Sequence, residues 1–374
     1  MPQRQRLPGL DAVRAIAIML VVFAHGVLLA APAISFQLRS QLLYLGGYFG
    51  VELFFALSGL LIVGGLLRRL DKRPTLTRGD MLAFWQRRWW RTLPNYFVFL
   101  LLNATLFAAW FNAPAPDASY AVFAQNFAWP HPRAMPEAWS LAVEEWFYLL
   151  LPLLLAASLL IRPVPCRAVP LLLACWIVAA TVARFTVAGW AEPSWDSGLR
   201  KIVLLRLDAI AWGGLVACWL HYCRARARRT AARALDFGLC VLAGCALWLS
   251  VGVSQGFQPV LAWAGLFTAT GAGIALCLPA AALWQPGRLG AWIIRPVTWL
   301  SRISYSLYLV HFSFALPLMQ RESLAAAMPL VWRLAGYAAV SLLGAWAAYR
   351  LVERPTLALR DRILTSPRRT AGGA

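Results

Sequence analysis

Long apolar stretches of about 20 residues recur along the chain and alternate with short polar or basic segments. An α-helix rises about 1.5 Å per residue, so about 20 apolar residues cross the roughly 30 Å hydrocarbon core of a bilayer. The pattern predicts an all-α, polytopic membrane helix bundle of about ten transmembrane helices. The predicted spans are 11–31, 46–67, 93–112, 140–161, 168–188, 203–221, 235–253, 259–282, 299–320 and 333–352.

The first apolar stretch has two interpretations. It follows basic residues and ends near small residues, as a cleavable signal peptide does. It also contains Asp11, Arg14 and His25, and it is long enough to span a bilayer. We therefore interpret 11–31 as the first transmembrane helix.

The basic residues give the predicted bundle an orientation. Most of the 35 Lys and Arg residues fall in segments on the same side as the N-terminus, notably 68–91 and 224–233. Cytoplasmic loops are enriched in Lys and Arg, so this distribution predicts that both termini are cytoplasmic. On the opposite side, segment 112–137 holds five prolines, which predicts an ordered, non-helical cap.

Composition supports a membrane protein and excludes other classes. Hydrophobic residues make up 61% of the 374 residues and charged residues only 13%, which is too little polar surface for a water-soluble domain. The net charge of +20 is typical of nucleic-acid-binding proteins. Here, however, the basic residues lie between apolar runs, so membrane lipid is the expected partner and nucleic acid is not. We expect one transmembrane domain over 1–359 and a flexible basic cytoplasmic tail over 360–374.

Ionisable residues inside the first helix are candidates for function, because burying charge in a bilayer is costly. Arg14 and His25 are 11 residues apart, so they share one face at a separation of roughly 16 Å. Asp11 is placed to pair with Arg14. A neutral imidazole suits a general base near pH 7. The alternative is that His25 only forms a structural hydrogen bond between helices.

The segment 84–94 is rich in arginine and tryptophan. A helix would place Arg87 and Arg91 on one face with Arg88 beside them. Guanidinium groups bind phosphates bidentately, so the segment is a candidate clamp for a phosphorylated cosubstrate. The alternative is an anchor for lipid headgroups in the membrane interface.

Further polar residues occur within the apolar runs. Glu144, at the start of the fourth span, is placed to orient a histidine or a hydroxyl group, or it only complements the helix dipole. The remaining candidates for substrate contact are Asp11, Glu52, Ser58, Trp139, Arg206, Asp208, Tyr308 and His311. Neither these residues nor the seven cysteines form a metal-ligand pattern, so no metal is expected.

These motifs together resemble the acyltransferase-3 family of integral-membrane O-acyltransferases. The matching pieces are Leu10–Ala15, Arg14 with His25, Gly50–Phe55 with Ser58-Gly59, Arg87/Arg88/Arg91/Pro94, Trp139–Leu141 with Glu144, Ser304–Leu309 with His311, and Glu353–Pro355. The resemblance implies transfer of an acyl group, acetyl above all, from cytosolic acyl-CoA to a hydroxyl of a glycan or lipid-linked glycan at the bacterial inner membrane.

The same resemblance implies roles for individual residues. His25 would be the catalytic histidine, Arg14 would support the donor site, and Glu144 would shape the acceptor side. Arg87, Arg88 and Arg91 would bind the phosphates of CoA. Two mechanisms stay open, with His25 as general base or as an acyl-carrying nucleophile. The alternative function is a transporter or flippase that uses the buried Arg, His and Glu residues as a substrate path.

Overall fold

The computed structural model describes residues 7–31, 33–287 and 290–365, and the regular elements in these ranges are all helical. The helices of twelve or more residues are, in chain order, α1 (Pro8–Gly26), α2 (Phe36–Leu70), α3 (Arg78–Leu102), α4 (Ala138–Ile161), α5 (Pro165–Ala191), α6 (Leu207–Tyr222), α7 (Arg224–Ser254), α8 (Leu266–Leu283), α9 (Gly290–Val310), α10 (Leu330–Ala348) and α11 (Arg354–Thr365). The predicted all-α fold is confirmed.

Nine helical segments within the described ranges are long and apolar enough to cross a membrane. They correspond to nine of the ten predicted spans, and the polytopic bundle is confirmed. The exception is 299–320, where α9 continues through a π-helical turn, His311–Ala315. Arg302 and several polar side chains lower the mean hydropathy of this segment, and the buried polar ones are Ser301, Ser304, Ser306, His311 and Ser313.

Several helices extend beyond the predicted apolar runs. Helix α3 begins at Arg78, so the basic segment 68–91 is largely helical. A capping box formed by Thr77 and Asp80 begins this helix. Arg69, at the end of α2, forms an ion pair with Asp80 and joins the two helices. Helix α11 crosses the expected domain boundary at residue 359, and the tail beyond residue 365 lies outside the described residues.

The segment between α3 and α4 packs onto the bundle. Residues 112–137 are irregular apart from a 3₁₀ turn, Ala118–Val122. Asn126 is fully buried, and its side-chain amide donates hydrogen bonds to the carbonyl oxygens of Trp139 and Lys201. These bonds fix the beginning of α4 against the segment that precedes α6.

Helices α2 and α6 pack with their backbones in contact. A Cβ atom added to Gly59 of α2 would lie 1.8 Å from the carbonyl oxygen of Ile210, and one added to Gly213 of α6 would lie 1.8 Å from that of Ala56. Small residues allow such close approach of helices in membranes. Because α2 contributes residues to both cavities described below, this contact positions the site.

Gly59→Ala is expected to destabilise the protein by about 1–3 kcal/mol, because the added methyl group forces α2 and α6 apart. The thermal unfolding midpoint in detergent measures this effect. Gly65→Ala is the matched control on the same helix, where the added Cβ meets nothing within 4 Å. An equal effect of the two substitutions would contradict the packing argument.

Candidate active site

Two cavities lie within the bundle. The first, which we name the arginine cavity, has a volume of about 810 Å³, part of it open to solvent, and its charged lining residues are Arg14, Arg88, Arg91 and Glu144. The second, which we name the histidine cavity, has about 750 Å³, and its titratable lining residues include His25, Glu137, Asp196, Arg200 and Lys201. Val51 and Tyr308 line both cavities, so the two spaces are neighbours.

The arginine cavity is positively charged because three arginines and one glutamate line it. Arg88 and Arg91 lie one turn apart on the same face of α3. Arg87 is exposed and does not line the cavity, because neighbouring residues of a helix point about 100° apart. The structure therefore places two of the three predicted arginines of α3 in a common site.

Arg14 is held in this cavity by a polar cluster. Its Nη1 atom lies 3.3 Å from Asp11 Oδ1 and donates to Ser301 Oγ at 3.1 Å. Ser301 Oγ in turn donates to Asp11 Oδ1 at 2.8 Å. The predicted pair between Asp11 and Arg14 is present, and Asp11 supports the arginine and does not itself line the cavity.

Glu144 lies beside the arginines, and the histidine cavity is lined by other residues. The resemblance implies that Glu144 shapes the acceptor side, and that role stays a prediction. The Tyr148 hydroxyl donates to the Glu144 carboxylate, one turn along α4, and lies 2.6 Å from Ser58 Oγ. This arrangement orients the carboxylate toward a site that already contains Arg14, Arg88 and Arg91.

His25 and His311 form a hydrogen-bonded pair. The Nδ1 atom of His311 lies 3.0 Å from the carbonyl oxygen of Leu307, so this nitrogen carries the proton. The Nε2 atom of His311 is then an acceptor, and it lies 2.9 Å from Nδ1 of His25, which must donate. The partners thus assign the tautomer of His25 and leave its Nε2 lone pair available as a base.

Tyr308 lies at the boundary between the cavities. Its hydroxyl is 2.7 Å from Ser140 Oγ and donates to the carbonyl oxygen of Glu137 at 3.2 Å. These bonds join α9 to the beginning of α4. Trp139, another predicted substrate residue, lines the histidine cavity, and the Arg200 guanidinium lies 5.1 Å from the centre of its ring.

An ion cluster between α5 and α6 lines the histidine cavity. Asp196 accepts from Arg200 Nε and from Lys201 Nζ, each at 2.6 Å. Burial would raise the pKa of Asp196, but the two cations outweigh it and lower the pKa. Burial lowers the pKa of Lys201 in turn. The cluster leaves one excess positive charge in a cavity that also contains His25.

Three predicted substrate residues instead form ion pairs in the helix packing. Glu52 of α2 pairs with Arg206, and Asp208 of α6 pairs with Arg184 of α5 through two hydrogen bonds of 2.7 and 2.8 Å. The exposed fraction of all four side chains is 2% or less, and none lines either cavity. We assign these pairs to the stability of the bundle.

Sequence reasoning did not identify several residues that line the cavities. They are Thr92, Glu137, Tyr148, Asp196, Arg200 and Lys201. Most of these lie outside the predicted spans or at their ends, where charged residues are usual. The one available signal was the acidic and basic spacing of 196–201, which places opposite charges about one turn apart.

Comparison with known proteins identifies the family. A family model described as an acyltransferase domain matches residues 7–350. The chain belongs to this acyltransferase family. It is 24% identical to the peptidoglycan O-acetyltransferase OatA of Listeria monocytogenes over 94% of this chain and 56% of the relative. It is 33% identical to the O-acetyltransferase OatA of Staphylococcus aureus over 40% of this chain and 24% of the relative.

A third relative has similar coverage. YrhL of Bacillus subtilis, named as a candidate peptidoglycan O-acetyltransferase, is 27% identical over 93% of this chain and 54% of its own length. The alignments with YrhL and with OatA of Listeria monocytogenes include nearly all of this chain. The chain thus spans about half the length of each of these two relatives. No solved structure matches this acyltransferase chain.

Arg184→Met is expected to lower the free energy of unfolding by about 3–5 kcal/mol, because it leaves Asp208 buried without its partner. The double variant Arg184→Met/Asp208→Leu is expected to recover most of this loss. Asp361→Asn, at a position that is 64% exposed, is the control and should change stability little. The thermal unfolding midpoint is measured for wild type and for these three variants. Equal stability of Arg184→Met and the double variant would contradict a buried pair.

Proposed function

We propose that this protein is an acyl-CoA-dependent O-acetyltransferase that modifies a hydroxyl group of a bacterial cell-surface glycan. The observation that carries the proposal is the pair of adjoining cavities, one lined by arginines and the other containing a histidine with an available Nε2 lone pair. Membership of the acyltransferase family and the names of the relatives support the reaction class. Their names make peptidoglycan the first acceptor to test.

The arginine cavity is the proposed donor site. CoA carries several phosphate groups, and guanidinium groups bind phosphate bidentately and stay charged at any physiological pH. Arg88 and Arg91 would bind these phosphates, together with Arg14 of α1, which lines the same cavity. The predicted orientation, with the N-terminus cytoplasmic, opens this site toward cytosolic acetyl-CoA at the inner membrane.

The histidine cavity is the proposed acceptor site, and the reaction occurs where it meets the arginine cavity. His25 Nε2 removes the proton of the acceptor hydroxyl, and the oxygen attacks the carbonyl carbon of the thioester. The C–S bond breaks, and the CoA thiolate takes the proton from His25. In the relay version His25 Nε2 attacks the thioester carbonyl, the C–S bond breaks and CoA leaves as the thiolate. The acceptor oxygen then takes the acetyl group from Nε2, and its proton passes to the thiolate. Both versions need the tautomer of His25 that carries its proton on Nδ1 and its lone pair on Nε2.

Acetyl-CoA is expected to raise the thermal unfolding midpoint of the purified wild-type protein, because a ligand that binds only the folded state stabilises it by about 2.7 kcal/mol at 100 times its Kd. Arg91→Ala should abolish most of this stabilisation, since it removes a phosphate-binding cation from the cavity.

Arg87→Ala is the matched control for this experiment. It removes the same charge from the same helix at a position outside the arginine cavity, so stabilisation by acetyl-CoA should persist. If several acyl-CoAs fail to stabilise the folded wild-type protein, the donor site is wrong. If Arg87→Ala and Arg91→Ala lose stabilisation equally, the assignment of the cavity is wrong.

His311→Phe is expected to lower acetyl transfer about 100-fold, because His25 loses the acceptor that fixes its tautomer, and general-base catalysis contributes about 10²–10⁴-fold. Stabilisation by acetyl-CoA should not change, since His311 does not line the arginine cavity. His221→Ala, which removes a histidine that lines neither cavity, is the control. Unchanged transfer in His311→Phe would contradict a positioning role for this residue.

A further inference from the structure

Glu137 is a buried acid in the histidine cavity that the proposed mechanism does not use. It lies directly before α4, and its exposed fraction is only 4%. Its Oε2 atom has no hydrogen-bond partner in the described part of the chain. Leaving a buried polar atom unsatisfied costs about 1–3 kcal/mol, so such an atom on a residue that lines a cavity needs an explanation.

A chain of hydrogen bonds fixes the orientation of this carboxylate. Asn103 donates through its side-chain amide to Ser313 Oγ at 3.1 Å, and Ser313 Oγ donates to Glu137 Oε1. The main-chain carbonyl of Glu137 accepts from the Tyr308 hydroxyl at 3.2 Å. The described residues therefore hold one oxygen of the carboxylate and give the other, Oε2, no side-chain or main-chain partner.

We propose that Glu137 Oε2 accepts a hydrogen bond from a hydroxyl group of the acceptor sugar. This inference rests on the proposed function, and it names Glu137 as a residue that binds the acceptor. A sugar carries several hydroxyl groups, so one can donate to Glu137 while a neighbouring one meets His25 Nε2. The acceptor class is then a saccharide with at least two free hydroxyl groups near each other.

The electrostatics of the cavity agree with this role. Burial raises the pKa of Glu137 to about 7, and the hydrogen bond from Ser313 opposes the rise. The other charged and titratable groups that line the same cavity are His25, Tyr44, Asp196, Arg200, Lys201 and Tyr308. The ionised form of Glu137, which accepts the hydroxyl, is populated above about pH 7. A bound hydroxyl stabilises that form, so acceptor binding strengthens as the pH rises through this range.

The test compares Glu137→Gln with wild type in steady-state transfer by the full chain in detergent. Acetyl-CoA is the donor, and a soluble disaccharide fragment of peptidoglycan is the probe acceptor. Glutamine keeps an oxygen for Ser313 but replaces Oε2 with an amide donor. Hydrogen bonds to charged groups contribute about 1.5–3 kcal/mol, so kcat/KM for the acceptor should fall about tenfold or more. The KM for acetyl-CoA should not change.

Two controls separate this role from a structural one. Glu145→Gln makes the same substitution on α4, where the carboxylate accepts from Thr92 and lines neither cavity. It should leave the KM for the acceptor unchanged. In wild type the KM for the acceptor should fall as the pH rises through about 7, and Glu137→Gln should lose this dependence.

If Glu137→Gln does not fold, Ser313→Ala, which releases the carboxylate, should also raise this KM.

The outcomes distinguish this inference from the proposed function. If wild type neither binds acetyl-CoA nor transfers its acetyl group, the proposed function fails. If wild type transfers and Glu137→Gln keeps the same KM and pH dependence for the acceptor, only the role of Glu137 is overturned. If wild type binds acetyl-CoA but does not transfer to the disaccharide, the sugar-binding role of Glu137 is overturned and the donor site stands.

Discussion

A charged side chain inside a bilayer must be paired or must face a polar cavity, because leaving it isolated in hydrocarbon is costly. This constraint sorts the ionisable residues of the bundle into two groups. Glu52 with Arg206 and Arg184 with Asp208 are buried pairs that join helices. The arginines and the glutamate of the arginine cavity instead line a space of about 810 Å³ that is partly open to solvent. The first group stabilises the fold, and the second is available for chemistry.

Helix α1 connects the two parts of the site. Arg14 lies in one cavity and His25 in the other, about three helical turns further along the same face. Helix α9 and the turn that follows it contact both of these side chains. Ser301 accepts a hydrogen bond from Arg14, and His311 accepts one from His25. A π-helical turn begins at His311, and such turns are frequent at functional sites. The pairing of α1 with α9 therefore sets the distance between Arg14 and His25, the proposed groups for phosphate binding and proton transfer.

Hydropathy predicts the helices well, because each span must satisfy its own backbone hydrogen bonds. It also predicts the span 299–320, where α9 continues through a π-helical turn although buried serines and a histidine reduce the apolar content. Helical spacing also predicts the pair of Asp11 and Arg14. Such local arguments depend only on the regular geometry of one helix.

Contacts between distant segments could not be predicted in this way. Nothing in the sequence shows that Glu52 faces Arg206, so both were interpreted as substrate residues. The sequence leaves open whether Glu144 orients a histidine or a hydroxyl group, and in the structure it accepts from the Tyr148 hydroxyl beside the arginines. Glu137 looks like an ordinary helix-start acid, and only the packing of Ser313 and Tyr308 against it reveals a buried carboxylate in a cavity.

The central claim is that His25 carries out the transfer of an acetyl group brought by CoA. The most direct measurement follows radiolabelled acetyl from acetyl-CoA to peptidoglycan fragments in wild type and in His25→Ala. The account predicts that His25→Ala folds, is still stabilised by acetyl-CoA, and transfers no label above background. Transfer at the wild-type rate by this variant would contradict the account.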